Sequence, residues 1–122
     1  LIPDAFDYEL DLDAHYLLNA IDRVSLLTNE QNNIIKLDMS DEKVVLSSYM
    51  QEIGSVEEIL DKSFYKGTPI SISFSSKYAT DAIRAFNEPK IKILFTGEMK
   101  PFIIKDFEKD DVIQLVLPVR TF

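Results

Sequence analysis

Apolar and charged residues alternate over residues 6–12, and this period of two predicts a half-buried β-strand at the start of the chain. Asp13 follows as a candidate N-cap for a helix that runs to about Thr28. Ser40 opens a short polar stretch that predicts a turn between two of the strands that come next. Those strands are predicted over residues 34–39, 43–49 and 56–60.

The same order of elements recurs in the second half. Residues 70–74 alternate apolar side chains with serines, which predicts another strand, and Ser75 or Ser76 can cap a helix over about residues 77–87. Pro89 ends this helix, because a residue that precedes proline disfavours the helical region. Further strands are predicted over residues 90–96, 101–105 and 112–119.

A β-α-β-β-β unit is therefore written twice. We predict an α+β fold in which two helices lie side by side and pack on antiparallel sheets, because neither half could bury its helix face alone. A shift of 62 residues aligns the halves, with these matches: Leu10 with Ile72, Leu12 with Phe74, Tyr16 with Tyr78, Ala20 with Ala82, and Ile21 with Ile83.

Helical periodicity gives each helix one apolar and one polar face. On the second helix Lys77 and Arg84 stack along the polar stripe, and Arg23 lies on the polar face of the first. Such stripes are usually solvated, and a sparse track for a phosphate backbone is the alternative. The faces predicted to be buried are Leu17, Ala20, Ile21 and Val24 in the first helix, and Ala79, Ala82, Ile83 and Phe86 in the second.

Leu26 falls opposite the buried face of the first helix, beside Leu27. An isolated exposed leucine is ordinary, and a contact between subunits is the competing interpretation. Acidic side chains concentrate around the strand predicted over residues 56–60, where they indicate a protected sheet edge or a surface that pairs with a basic partner. They are Glu52, Glu57, Glu58 and Asp61.

Composition narrows the function classes. The 122 residues, 46% hydrophobic and 28% charged, are typical of one globular domain, and no apolar run reaches the ~20 residues that cross a bilayer. A net charge of −8 argues by itself against nucleic acid as a partner, although a basic stripe can persist on one face. The absence of cysteine fits a reducing cytosol. The opening "LIPDAF" predicts a domain taken from a longer chain, with Pro3 at the linker.

Catalytic and metal chemistry is not indicated. The single histidine, His15, has no nucleophile motif nearby, and the three glycines form no phosphate-binding loop. An acid–base hydrolase or metal cluster at the aspartate-rich start is a remote alternative, since strand alternation scatters these side chains. The aspartates concerned are Asp4, Asp7, Asp11 and Asp13. We expect no enzyme activity, no metal and no cofactor.

Five segments carry a family resemblance: "LIPDAF", "RVSLLTNE", "EEILD", "FSSKYATDAIRAF" and "LVLPVRTF". With the duplicated unit, they make essentially the whole chain resemble the C-terminal third of the bacterial DNA polymerase sliding clamp, the β subunit of polymerase III. The resemblance implies a non-enzymatic replication processivity factor in the bacterial cytoplasm, at the nucleoid. It implies a full-length homodimeric ring that encircles duplex DNA and binds the polymerase III catalytic subunit, the clamp loader and other proteins.

The resemblance also implies site residues. Arg23, Lys77 and Arg84 would line the DNA hole. The dimer interface would contain Leu26, Leu27, Glu52, Glu57 and Glu58, so we expect the isolated domain to be a monomer. Partner peptides with a glutamine and a hydrophobic pair would enter a pocket shared with the middle domain, and the isolated domain would bind them weakly. The pocket residues would be Leu1, Ser75, Tyr78, Met99, Leu115, Leu117, Pro118, Val119 and Arg120.

Two features of the residues support this pocket independently. Tyr78 begins a helix off its buried face, and Met99 is a flexible apolar side chain just past a turn. Ser75 departs from the asparagine of some relatives, which puts the hydrogen bond at that position in question. The competing hypothesis is a stand-alone structural or nucleic-acid-binding module that shares the duplicated fold.

Overall fold

The computed structural model describes residues 7–27, 33–50, 54–86, 89–107 and 113–119. Strands and helices alternate in the predicted order, with one additional strand between the halves. The elements are β1 (Tyr8–Asp13), α1 (Ala14–Val24), a 3₁₀ helix (Ser25–Leu27), β2 (Ile34–Met39), β3 (Val44–Met50), β4 (Gly54–Ile59), β5 (Phe64–Lys66), β6 (Ile70–Ser75), α2 (Ser76–Ile83), β7 (Lys90–Phe95), β8 (Phe102–Asp106) and β9 (Ile113–Val116).

The strands form two antiparallel sheets that exchange a strand between the halves. The first sheet has the order β5-β1-β7-β8-β9, and the second has the order β4-β3-β2-β6. Each sheet thus joins the three-strand meander of one half to the first strand of the other half. Because of this exchange, neither half can form its sheet without the other.

Strand register supports the internal repeat. Leu10 pairs with Ile93 in the first sheet, and its equivalent Ile72 pairs with Leu37 in the second. All four side chains are buried, so the equivalent positions of β1 and β6 both contribute to the core, one in each sheet. The duplicated unit predicted from the sequence is confirmed by this arrangement.

Both helices begin with equivalent caps. The Asp13 side chain accepts a hydrogen bond from the Tyr16 N–H at 2.9 Å, and the Ser75 hydroxyl accepts one from the Tyr78 N–H at 3.3 Å. A side-chain oxygen at this position satisfies one of the amide groups that the first helical turn leaves without a partner. Asp13 was the predicted cap, and Ser75 is the one of two candidate serines that performs this role.

Both helices end earlier than the periodicity predicts. α1 stops at Val24 and continues as a 3₁₀ turn, and α2 stops at Ile83 rather than near residue 87. After α2, the Phe86 N–H donates to the Ile83 carbonyl at 3.1 Å, an i to i−3 bond that tightens the chain out of the α-helix. Asn87 falls outside the described residues.

A single core lies between the helices and both sheets. Phe102 of β8 packs edge-on against Phe74 of β6 at 5.4 Å between ring centroids, and against Phe95 of β7 at 5.0 Å. These rings join the two sheets, since β6 belongs to the second sheet and β7 and β8 to the first. The predicted helix faces are confirmed, except that Phe86 is only partly buried.

The last described segment differs from the predicted strand. β9 ends at Val116, Pro118 forms an isolated bridge with Phe74, and the Val119 N–H donates to the Ser73 carbonyl at 2.8 Å. Proline has no N–H to donate to a ladder, so continuous pairing stops before it. The chain therefore leaves the edge of the first sheet and joins the edge of β6 in the second.

No helix of the described ranges has the length and apolarity to cross a membrane.

Candidate functional site

A mainly apolar pocket of about 540 Å³ lies between α2 and the end of the described chain. α2 supplies one wall, and β9 with the segment that follows it supplies the other. The lining residues are Tyr78, Asp81, Ala82, Gln114, Leu115, Val116, Leu117, Pro118 and Val119. Concave apolar surfaces with a few polar groups are the usual form of ligand sites.

Large apolar side chains of this pocket remain open to solvent. Tyr78 is 68% exposed, Leu117 is 65% exposed and Leu115 is 45% exposed, whereas Val116 between the leucines is buried. Strand alternation turns Val116 into the core and the leucines outward. Tyr78 lies in the first turn of α2, away from the buried face. A cluster of exposed large apolar groups around a concavity is typical of a docking surface.

The structure brings together most of the predicted pocket residues and separates two of them. Ser75 is buried and does not line the pocket, because its hydroxyl caps α2. Met99 is exposed in the turn between β7 and β8 and is likewise not part of the lining. Leu1 and Arg120 fall outside the described residues. Tyr78, Leu115, Leu117, Pro118 and Val119 share one lining.

Four lining residues were not predicted. Ala82 was predicted for the buried face of the second helix, and Val116 was given no role; both are buried in the core and also line the pocket. Asp81 follows Tyr78 by three residues, so helical spacing could have placed the two on one rim. Gln114 precedes Leu115 on β9, and it could be placed in the pocket only once the position of β9 in the structure was known.

A shallow groove of about 230 Å³ runs between the two helices. Lys77 and Arg84 of α2 line it, as predicted for one polar stripe, and Asp22 and Asp81 line it as well. Carboxylates in the same groove reduce the positive potential that the two cations create. Any polyanion would therefore be held loosely here.

Arg23 connects the residues predicted to face DNA with the residues predicted for the dimer interface. Its guanidinium donates to Glu58 Oε1 at 2.9 Å, and about half of its side chain is exposed. The hydrogen bond to Glu58 is the largest cause of a raised Arg23 pKa. A residue predicted to face DNA is thus paired with a residue predicted for the dimer interface. Exposed ion pairs of this kind contribute little to stability.

The predicted dimer interface is only partly described. Leu26 is 81% exposed on the 3₁₀ helix, and Glu57 is exposed on β4 at the edge of the second sheet. The Leu27 side chain and Glu52 fall outside the described residues. The exposure of Leu26 confirms that it points away from the core.

The aspartate-rich start does not form a metal cluster among the described residues. Asp4 lies outside them. Asp11 is buried on β1, across from Phe64 of β5 and Lys92 of β7, and burial is the largest cause that raises its pKa to about 6. A hydrogen bond with Glu9 raises the pKa further. This carboxyl group lies in a sheet and lines none of the grooves described above.

Comparison with known proteins identifies relatives across the whole chain. The family described as DNA polymerase III beta subunit, C-terminal domain, matches residues 1–120. The Staphylococcus aureus Beta sliding clamp is 44% identical and the Staphylococcus epidermidis Beta sliding clamp 42% identical, each over 100% of this chain and 33% of the relative. The chain therefore spans about a third of the length of these curated relatives.

Solved structures give the same result. The DNA polymerase sliding clamp from Bacillus subtilis superposes with a TM-score of 0.92 at 39% identity, covering 99% of this chain and 32% of that one. The beta subunit from DNA polymerase of Streptococcus pyogenes superposes with a TM-score of 0.91 at 30% identity, covering 99% and 33%.

Proposed function

Because this chain belongs to the family formed by the C-terminal domain of the DNA polymerase III beta subunit, we propose that it acts as one domain of a replication sliding clamp. The full-length protein would contain three such domains, and two copies would close into a ring around duplex DNA. The ring would work without catalysis, as a processivity factor that tethers the polymerase III catalytic subunit, the clamp loader and other proteins to DNA. Its place of action would be the nucleoid in the bacterial cytoplasm.

The role proposed for this domain within the ring is peptide docking. The observation that carries it is the 540 Å³ pocket, where Tyr78, Leu115 and Leu117 leave large apolar surfaces exposed around a concavity. Burying such side chains against a peptide's apolar anchors is favourable by ~25 cal/mol per Å² of apolar area. Short peptides with a glutamine and a hydrophobic pair are the proposed occupants.

The helices would face the DNA. Lys77 and Arg84 in the groove between α1 and α2 are few, and carboxylates accompany them. A sparse cationic lining suits a ring that must slide, since each phosphate contact adds to binding strength. The hold on DNA would come from encirclement rather than from affinity.

The pocket can be tested directly by fluorescence anisotropy. A labelled peptide with one glutamine and two apolar anchors is titrated with the wild-type chain, Leu117→Asp and Leu26→Asp. Leu117→Asp places a charge in the pocket and should weaken binding at least about tenfold, since a poorly compensated charge costs more than ~1.4 kcal/mol. Leu26→Asp is the matched control, because Leu26 is also an exposed leucine but lies outside the pocket lining.

Binding that Leu117→Asp leaves unchanged would contradict the proposed pocket. The absence of any binding by the wild-type chain at millimolar peptide would contradict the docking role. Tight, salt-dependent DNA binding by this chain alone would favour the stand-alone nucleic-acid-binding module instead.

A further inference from the structure

The first sheet has an outer face, which points away from the helices and the core. Every second residue of β7, and Phe102 and Ile104 of β8, belong to the core cluster, so strand alternation turns the residues between them outward. Asp106 is buried on the same side as Ile104, so in the described part of β7 and β8 no carboxylate lies on the outer face. The outward residues are Lys90, Lys92 and Leu94 on β7, and Ile103, Lys105 and Phe107 on and after β8.

Strand register brings the three lysines of this face together. Lys92 and Lys105 lie directly opposite each other on β7 and β8, and the Phe107 N–H donates to the Lys90 carbonyl at 3.1 Å. Like charges opposite each other on antiparallel strands are destabilising. In a chain of net charge −8, a cluster of cations that opposes stability indicates a function for the surface that carries it.

The phenylalanine ring holds two of these ammonium groups. Lys90 Nζ lies 4.4 Å and Lys92 Nζ 4.8 Å from the centroid of the Phe107 ring, within the range of cation–π attraction. Lys92 Nζ also lies 3.7 Å from Glu9 Oε2. Contacts of this kind restrict the long side chains before any ligand arrives, which lowers the entropy that an anion must offset when it binds.

An apolar row borders the lysines on the same face. Ile103 is buried but does not belong to the core cluster, and it lies in register between Leu94 and Leu115. Ile113 is exposed and lies opposite Lys105, so an apolar and a cationic side chain are one strand spacing apart, about 4.8 Å. Leu115 also lines the 540 Å³ pocket, so this face is continuous with the pocket rim.

We propose that the outer face of the first sheet, across β7, β8 and β9, binds a short acidic segment of a partner protein. Aspartate or glutamate side chains of the segment pair with Lys90, Lys92 and Lys105, and an apolar residue beside them packs on Ile113 and Leu115. This surface goes beyond the proposed peptide docking, because it lies outside the pocket and shares only Leu115 with it.

The neighbouring strand favours a protein segment over nucleic acid. β1 lies beside β7 and presents Asp11 opposite Lys92 and Glu9 opposite Leu94, on the same outer face. A nucleic acid strand carries a phosphate about every 3.4 Å and would extend from the lysines over these carboxylates. A short acidic segment can end at β7, and the apolar row gives it a contact that a phosphate backbone cannot use.

Two labelled peptides test the charge of the ligand. One carries a cluster of glutamates followed by leucines, and in the other glutamines replace the glutamates. Since the net charge of −8 repels a polyanion, tighter binding of the glutamate peptide requires a local cationic surface. In fluorescence anisotropy at low salt, its Kd should be at least about fivefold lower than that of the glutamine peptide, and added salt should reduce the difference.

Variants of this chain locate the surface. Lys92→Gln and Lys105→Gln should each raise the Kd of the glutamate peptide about two- to fivefold, the effect of one exposed ion pair. Lys36→Gln is the matched control, because it makes the same change of charge at an exposed lysine of the second sheet and should leave the Kd unchanged. Tyr78→Ala, in the opposite wall of the pocket, should also leave it unchanged. Urea denaturation checks that each variant is folded, and Lys105→Gln alone suffices if Lys92→Gln is not.

Each outcome decides for or against this surface. The proposal is overturned if the glutamate peptide binds no more tightly than the glutamine peptide, or if Lys105→Gln and Lys36→Gln have equal Kd values. Loss of binding in Tyr78→Ala, with the lysine variants unaffected, would place the peptide in the pocket and overturn this surface while peptide docking stands. A single-stranded oligonucleotide that binds more tightly than the glutamate peptide, and more weakly to Lys105→Gln, would overturn the assigned class of partner.

Discussion

Replacing Asp11 by asparagine should stabilise this chain above pH 6 and have little effect near pH 4. Asp11 is 8% exposed on β1, and burial together with the Glu9 hydrogen bond raises its pKa from 3.8 to about 6. Among the described residues, its buried Oδ1 atom has no hydrogen-bond partner. The folded chain therefore binds this proton more tightly than the unfolded chain does, and stability falls as the pH rises from about 4 through 6.

The magnitude follows from the size of the shift. Roughly two pKa units at 1.36 kcal/mol each set an upper value of ~3 kcal/mol for the ionised group at pH 7. Asparagine resembles the protonated carboxyl in charge and shape, so Asp11→Asn should be about 1–3 kcal/mol more stable than the wild-type chain at pH 7. At pH 4 the two free energies of unfolding should agree within about 0.5 kcal/mol.

Urea denaturation of both proteins at pH 4, 5, 6 and 7 measures this difference. Asp7→Asn, a change at an exposed aspartate before the same strand, is the matched control and should show no comparable rise. The reasoning is refuted if the difference between Asp11→Asn and the wild-type chain does not change with pH, or if the variant is the less stable protein at pH 7.

Two further predictions concern the dimer interface and the second helix. In the full-length protein, Leu26→Asp should leave the fold intact, because Leu26 is 81% exposed. The variant should shift the ring toward monomers in sedimentation velocity. If circular dichroism shows that the variant is unfolded, Leu26 has been assigned to the wrong face of the first helix. Ser75→Ala removes the α2 cap and should lower the free energy of unfolding, measured by urea denaturation, by about 1 kcal/mol. Ser75→Asp keeps a capping oxygen and should lose much less of this free energy. Equal losses in both variants would exclude capping as the cause.

Local sequence patterns predicted the elements that depend on local interactions. Asp13 and Ser75 mark helix starts because their side chains bond amides three residues away. The buried faces of α1 and α2 follow from helical spacing, and the duplication follows from the recurring order of elements. The caps and the helix faces are determined within about one helical turn, and the duplication is recognised from elements that are each predicted locally.

Features that depend on distant pairing were not predictable in this way. β5 has three residues, too few for a period to be recognised, and its pairing with β1 joins positions more than 50 residues apart. The exchange of β1 and β6 between the sheets is equally nonlocal. Pro118 indicated an interruption, but its bridge to Phe74 required the structure.

The candidate pocket was predictable in part for the same reason. Leu115 and Leu117 follow from strand alternation, and Tyr78 follows from its position off the buried helix face. Met99 and Ser75 were included through the family resemblance, with the flexible side chain of Met99 just past a turn as added support, and the structure gives both residues other surroundings. Asp81 became relevant only when α2 was seen to share a rim with β9.

Amide chemical-shift mapping of the ¹⁵N-labelled chain with saturating peptide tests the docking site most directly. We predict that the largest shifts fall on the pocket defined by α2 and β9, at Tyr78, Asp81, Leu115, Leu117 and Val119. Shifts concentrated instead on the β4 edge near Glu57, or in the groove between α1 and α2, would contradict the proposed site. So would an unchanged spectrum at millimolar peptide.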